Sequence, residues 1–230
     1  MKKYAAFFDL DKTLLVTNSG NLFFRYCYRL DQIKFWELIK LIPYPLLYKL
    51  DMLNVEALAR KLVLRFKGAS KEEIYEFTGM WVKNMVKDYF RKSAVQELNL
   101  HKEKGAHTVM ISASTHNLCY PIQQYLGIEE LICTDIKFEN NIFTGDLGVY
   151  CYAQEKLTRA ENFCKTHGYS LEDAYFYSDS YSDLHLLEEV GHPVCVAPDM
   201  ILKKTAKEKK WPVFYFSCFL IEFFPFFFAS

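Results

Sequence analysis

The sequence predicts an α/β protein built on a parallel sheet, and three observations carry that prediction. Apolar runs too short for stable isolated helices recur at residues 4–8, 109–111 and 174–177. Between them lie stretches with apolar residues at helical spacing, as in Leu157, Ala160, Phe163 and Cys164. Each short run also ends in small or acidic polar residues, as expected where strands finish at a ligand-binding edge. Strands alternating with helical crossovers make a parallel sheet covered by helices. At 230 residues the chain suffices for one core domain with an appended unit, which buries about 70% of its unfolded surface.

Taken in order, Tyr4-Ala5-Ala6-Phe7-Phe8 reads as a buried strand, and Asp9-Leu10-Asp11-Lys12-Thr13 follows at its carboxyl edge. Two carboxylates so close can hold a divalent cation or divide into nucleophile and proton donor; a solvated Asp-x-Asp turn is the alternative. Residues 16–92 are too long for a plain loop and carry helical patterning. Asn54 is a plausible N-cap ahead of Leu58, Leu62 and Phe66, and a second helix with Ile74, Phe77 and Trp81 starts near Ser70. Val109-Met110-Ile111 is the next strand, ending in Ser112-Ala113-Ser114-Thr115, whose hydroxyls and amides can face an anion. Lys156 opens a helix that Gly168 stops, and a lysine there opposes the helix dipole unless an anion lies nearby. Ala174-Tyr175-Phe176-Tyr177 is a further strand, followed by Asp179 and Asp183. Asp183 also suits the N-cap of a helix through Leu184, Leu186 and Leu187.

In this order, Asp-x-Asp, Ser, Lys and Asp-x-x-x-Asp resemble the four motifs of the haloacid dehalogenase superfamily, most closely its phosphoserine-phosphatase-like branch. The likeness spans about residues 4 to 212. It implies a Rossmann-like parallel sheet with helices on both faces, formed by residues 1–15 and 93–212, plus a small helical C1-type cap over 16–92 and an apolar tail at 213–230. It also implies a Mg²⁺-dependent phosphatase acting on a small phosphorylated substrate through an aspartyl-phosphate. Asp9 would be the nucleophile and Asp11 the general acid and base, which must begin protonated; nearby anions would raise its pKa. Mg²⁺ prefers oxygen ligands, which Asp9, Asp179 and the Asp11 carbonyl would supply, with Asp183 behind them. Ser112 and Lys156 would hold the transferring oxygens.

Substrate contacts depart from the resemblance. Phosphoserine phosphatases carry a glutamate where this chain has Asn18, which offers no negative charge to an amine. Arg60 falls where their cap arginine binds the substrate carboxylate. Ser182 replaces a common asparagine and Ala113 a common glycine. Bacterial phosphatidylglycerophosphate phosphatases of the superfamily share a Tyr-Ser-Asp-Ser motif, present here at residues 177–180, so a lipid-phosphate substrate is the second reading. A catalytically silent binding module is a third. Dehalogenases, which also attack through the first aspartate, need neither a metal nor an acid two residues later, so Asp11 and Asp179 favour phosphate hydrolysis.

Charge and composition set the remaining bounds. Residues 17–92 hold 14 Lys and Arg against 8 Asp and Glu, so a net charge of zero divides into a basic insert and an acidic remainder. That field would draw anions toward the cleft between them. The apolar stretch 38–53 is interrupted by Pro43 and Pro45. The tail 213–230 contains eight phenylalanines but is short for a membrane span and carries Glu222 and Pro225. Lysines 203, 204, 207, 209 and 210 just upstream allow peripheral membrane contact, and residues 213–216 alternatively read as a last buried strand. Seven scattered cysteines suit reduced thiols in a cytoplasm, and with the six histidines they show no zinc-ligand spacing. The amino terminus is not of secretory type, and no motif supports nucleic-acid binding. Oligomeric state leaves no mark in the sequence.

Overall fold

The computed structural model describes residues 4–32, 60 and 63–215. Its strands are β1 (Ala5–Phe8), β2 (His107–Thr115), β3 (Glu130–Thr134), β4 (Ile136–Glu139), β5 (Ile142–Leu147), β6 (Tyr175–Ser178), β7 (His192–Val196) and β8 (Val213–Phe214). Six of them form one sheet in the order β3-β2-β1-β6-β7-β8, every neighbouring pair parallel. The central strand shows why the sequence is so apolar here. Ala6 and Phe8 enter one hydrophobic cluster, Ala5 and Phe7 the other, and all four are buried. A parallel strand covered on both faces needs apolar residues at consecutive positions rather than alternating ones.

Helices α1 (Ser19–Arg29), α2 (Lys71–Asn84), α3 (Lys92–Glu103) and α4 (His116–Leu126) cover the Phe8 face through Leu22, Trp81, Leu98 and Ile122. On the Phe7 face lie α5 (Gln154–His167), α6 (Leu184–Glu189) and α7 (Met200–Lys209), through Leu157, Leu186 and Leu202. The expected helix near Ser70 begins there with a reciprocal capping box. The Glu73 amide donates to Ser70 Oγ at 3.1 Å, and the Ser70 amide to Glu73 Oε2 at 2.8 Å. Helix α5 ends at Gly168, whose φ of 71° is the left-handed cap that residue type supplies without strain.

Strand order places the site. From β1 the chain moves outward on one side to β2 and β3, then returns to β6 on the other side of β1. The connections therefore diverge at β1 and β6, which opens a crevice beyond the carboxyl ends of β2, β1 and β6.

Several elements go beyond the sequence expectation, strands β3 and β7 among them. The antiparallel hairpin β4–β5 was not expected; it packs Ile136, Phe143 and Leu147 against Ile74 of α2. Its turn residues Asn140 and Asn141 have φ of 49° and 65°, a conformation asparagine tolerates, and apolar residues alternate on either side. At the other end of the sheet, β8 uses the first two residues of the apolar tail as an edge strand. It is not the fully buried strand one alternative foresaw, since with a single neighbour Phe214 is 36% and Tyr215 59% exposed. The expected helix at Asn54, Leu58 and Leu62, the apolar stretch 38–53 and the phenylalanines from 216 onward lie outside the described residues. Among the described residues, no helix is long and apolar enough to cross a membrane, and the six cysteines are free and buried.

Candidate active site

Asp9 follows β1 directly, and its amide donates to the Tyr177 carbonyl of β6 at 2.9 Å, which fixes the carboxylate at the crevice. The chain then makes one wide turn, with the Leu14 amide donating to the Asp9 carbonyl at 3.3 Å and Leu15 to Leu10 at 2.9 Å. Lys12 has a left-handed φ of 58° in that turn. Buried Arg91, at the start of α3, braces it by donating to the carbonyls of Thr13 at 3.2 Å and Lys12 at 3.0 Å. This brace is absent from the sequence reading, since 78 residues separate Arg91 from Thr13.

The Lys156 ammonium donates to Asp9 Oδ1 at 2.7 Å and Asp183 Oδ2 at 2.8 Å, all three groups being buried. Ser178 Oγ also donates to Asp183 Oδ2, at 2.7 Å. The remaining oxygen, Asp183 Oδ1, is buried without a hydrogen-bond partner. Asp179, also buried, has its carbonyl held by the Asp199 amide at 2.8 Å, while the Asp199 carboxylate accepts from Tyr181 and caps α7. On the other side of Asp9, Asp11 Oδ1 accepts from the Ser19 amide at 2.7 Å and Oδ2 from Ser114 Oγ at 3.0 Å. Ser112 Oγ, buried, accepts from the Ser114 amide at 3.1 Å.

The electrostatics follow from crowding. Burial raises the Asp9 pKa well above the ordinary carboxylate value; Lys156 opposes that, while Asp183 and Asp179 add to it. Burial likewise pushes Asp179 up to about 7, with Lys12 opposing and Asp183 reinforcing. Burial works to lower the Lys156 pKa, but Asp183 and Asp9 outweigh it and hold the amine above its usual value. Three buried carboxylates thus surround one buried ammonium. This deficit of positive charge, together with the orphaned Asp183 Oδ1, fits a hard divalent cation with oxygen ligands, as Mg²⁺ is.

The expected residues fall into two hydrogen-bonded groups: Lys156 joins Asp9 and Asp183, with Ser178 on Asp183, while Ser19 and Ser114 hold Asp11; Asp179 and Asp11 enter the electrostatic surroundings of the first group. Two expectations are corrected in detail. Asp183 does occupy the N-cap position of α6, yet its side chain makes no capping bond because Lys156 and Ser178 engage it. Asp11 has its pKa raised, but by burial, against lowering bonds from Ser19 and Ser114, rather than by neighbouring anions. Ser182 turns back toward Ser180, their hydroxyls 2.9 Å apart.

Asn18 precedes α1 as its N-cap without a side-chain capping bond. The Ala113 carbonyl accepts from Thr134 at 2.8 Å. Arg60 donates to the carbonyls of Leu147 at 3.4 Å and Gly148 at 3.5 Å. It lines a cavity of about 650 Å³ with Lys137, Tyr150, Tyr152 and Glu155, beside the start of α5 that carries Lys156. Ser19, Ser178 and Asp199 escaped the sequence reading. The one available signal was Asp199 ahead of Met200-Ile201-Leu202, a plain N-cap pattern.

A parallel sheet whose switch point gathers carboxylates, hydroxyls and one amine defines an α/β protein with a ligand site at the carboxyl edge of its sheet. The chain belongs to the haloacid dehalogenase-like hydrolases, whose family model matches residues 6–188. It is 30% identical over 216 residues to a probable phosphatase of Mycobacterium tuberculosis, covering 93% of this chain and 75% of the relative. Its identity to a histidinol-phosphatase of Neisseria meningitidis is 30% over 220 residues, covering 93% of this chain and 99% of the relative. A solved phosphoserine phosphatase, captured as a phospho-aspartyl intermediate analogue, shares the fold with a TM-score of 0.64 at 20% identity and covers 93% of each chain.

Proposed function

We propose that this chain hydrolyses a small phosphomonoester in two steps through a phosphorylated Asp9. The observation that carries the reading is the buried Lys156 ammonium clasping Asp9 and Asp183 at 2.7 and 2.8 Å, beside Asp11. Asp9 Oδ attacks phosphorus and the ester oxygen departs with its electron pair, taking a proton from Asp11. The Asp11 carboxylate, now ionised, then removes a proton from the water that attacks the acyl-phosphate, restoring Asp9 and releasing phosphate. Burial favours the protonated form of Asp11 needed first, and the Ser19 and Ser114 donors stabilise the ionised form needed second. Lys156 and Ser112 would donate to phosphoryl oxygens as charge gathers on them. Asp9, Asp179 and the Asp11 carbonyl would hold Mg²⁺, with Asp183 behind; bound there, the ion offsets the repulsion between a phosphate dianion and a carboxylate.

For substrate, a small metabolite of the phosphoserine kind is the leading class, and histidinol phosphate is the specific second reading. One fact favours the latter: the relative matched over 99% of its length is named a histidinol-phosphatase. Asn18 does not discriminate, since both substrates carry an ammonium. Purified protein assayed against phosphoserine, histidinol phosphate, sugar phosphates and phosphatidylglycerophosphate, with a generic aryl phosphate as reference, tests this. Turnover of the aryl phosphate should require Mg²⁺ and vanish in Asp9→Asn. Undiminished turnover in that variant, or with chelator, removes the mechanism, and a preference for the lipid substrate replaces the small-metabolite reading.

A further inference from the structure

A second group of ligand-bearing side chains lies at the opposite edge of the sheet. His107 opens β2, Glu130 opens β3 and His167 is the last residue of α5. The register explains why they meet. Glu130 pairs with Val109, two residues beyond His107, so His107, Val109 and Glu130 face the same side of the sheet. Val109 packs in the cluster beneath α5 that includes Phe163, and His167 follows Phe163 by one helical turn. One ligand atom from each of His107, Glu130 and His167 lies within 4.8 Å of the others.

The hydrogen bonds orient both imidazoles for coordination. His167 Nδ1 lies 2.9 Å from the Phe163 carbonyl, which can only accept, so Nδ1 carries the proton and neutral Nε2 keeps its lone pair. His107 Nδ1 is 3.2 Å from the Tyr169 hydroxyl, which accepts from it in the tautomer that leaves Nε2 as a ligand. The rings stand perpendicular, centroids 5.0 Å apart, with Phe163 against both. In a tetrahedral site with bonds of about 2.1 Å the ligand atoms stand about 3.4 Å apart. Glu130 and His167 are exposed and His107 half-buried, so a rotamer adjustment covers the difference and water completes the shell.

We propose that His107, Glu130 and His167 bind one divalent d-block cation of the Zn²⁺ type, separate from the phosphatase site. Two imidazoles and one carboxylate suit zinc, whereas Mg²⁺ prefers oxygen alone, so the two sites select different ions. Along α5 the eleven steps from Lys156 to His167 rise about 17 Å, which sets the new site at the far edge from Asp9. Bound metal would pin the end of α5 to the starts of β2 and β3, adding a cross-link remote from the chemistry. Ligands 23 and 37 residues apart along the chain have no recognisable spacing, which is why the sequence conceals the set.

The test is Zn²⁺ titration of the chelator-stripped full chain with Mg²⁺ saturating, followed by calorimetry and thermal melting. The comparison variants are His167→Ala and Glu130→Gln, both at exposed positions, with the melting temperature of each variant without Zn²⁺ as the folding control. The expected result is one equivalent bound with a raised melting temperature, at least about tenfold weaker binding in each variant, and unchanged Mg²⁺-dependent aryl phosphate turnover. Equal Zn²⁺ binding by wild type and both variants, or no saturable binding by the wild type, would overturn the proposal. Because turnover is read separately, failure here leaves the phosphatase reading standing.

Discussion

Lys156 shows how much a single side chain does here. Its ammonium balances two buried carboxylates, so removing it leaves charge in a low-dielectric pocket rather than merely deleting a contact. Lys156→Met should therefore destabilise the fold by about 3 kcal/mol or more, seen as a lowered urea midpoint. Adding Asp183→Asn should recover part of that loss without restoring turnover. His101 gives a pH-dependent counterpart on the other side of the sheet. Its two ring nitrogens each lie 2.9 Å from a tyrosine hydroxyl, Tyr4 and Tyr177, and burial, with help from Lys104 and His192, lowers its pKa to about 4. The folded state keeps this imidazole neutral while the unfolded chain titrates near the ordinary value of 6.5. Stability from this group is complete above pH 6.5 and is lost as pH falls toward 4, because only the unfolded state gains the proton. The loss should reach at most roughly 3 kcal/mol. Urea melts from pH 7 to 4.5 check the slope, which His101→Gln should flatten.

Among the elements, the β4–β5 hairpin shows a turn doing the work of placement. It carries Leu147 and Gly148 to Arg60 and presses Phe143 beneath α2, linking the helical insert to the core across a long sequence gap. That link depends on Asn140 and Asn141 holding positive φ. Asn141→Val, a branched residue at φ 65°, should cost about 1 to 2 kcal/mol, whereas Asn141→Gly should be neutral or stabilising. Thermal melts of the two variants distinguish these outcomes. The turn after β1 is placed in the same way, by Arg91 reaching back from α3, so its geometry belongs to two elements at once.

At the scale of the whole molecule, the crowded carboxylates make ion binding part of folding stability. A cation that binds the native site and not the unfolded chain should stabilise by about 2.7 kcal/mol at a hundred times its Kd. Mg²⁺ titration should accordingly raise the melting temperature of wild type, and much less that of Asp179→Asn; equal shifts would place the ion elsewhere. Much of this molecule was already written in the order of residues. Consecutive apolar residues at 5–8 require burial on both faces, Ser70 and Glu73 cap a helix by local bonding, and Asp9, Asp11, Lys156 and Asp179 stand just beyond strand ends or at a helix start, at the edge where α/β sheets bind ligands; Ser112, expected just after a strand, lies inside β2. Those features are local or periodic, so the chain states them directly. Only the tertiary structure decided that Lys156 takes Asp183 away from its helix, that Ser19 and Ser178 hold the two outer acids, that Arg91 braces the first turn, and that His107, Glu130 and His167 share one corner. Contacts of that kind join residues distant in sequence. Their partners are set by strand order and register, which no window of the chain contains.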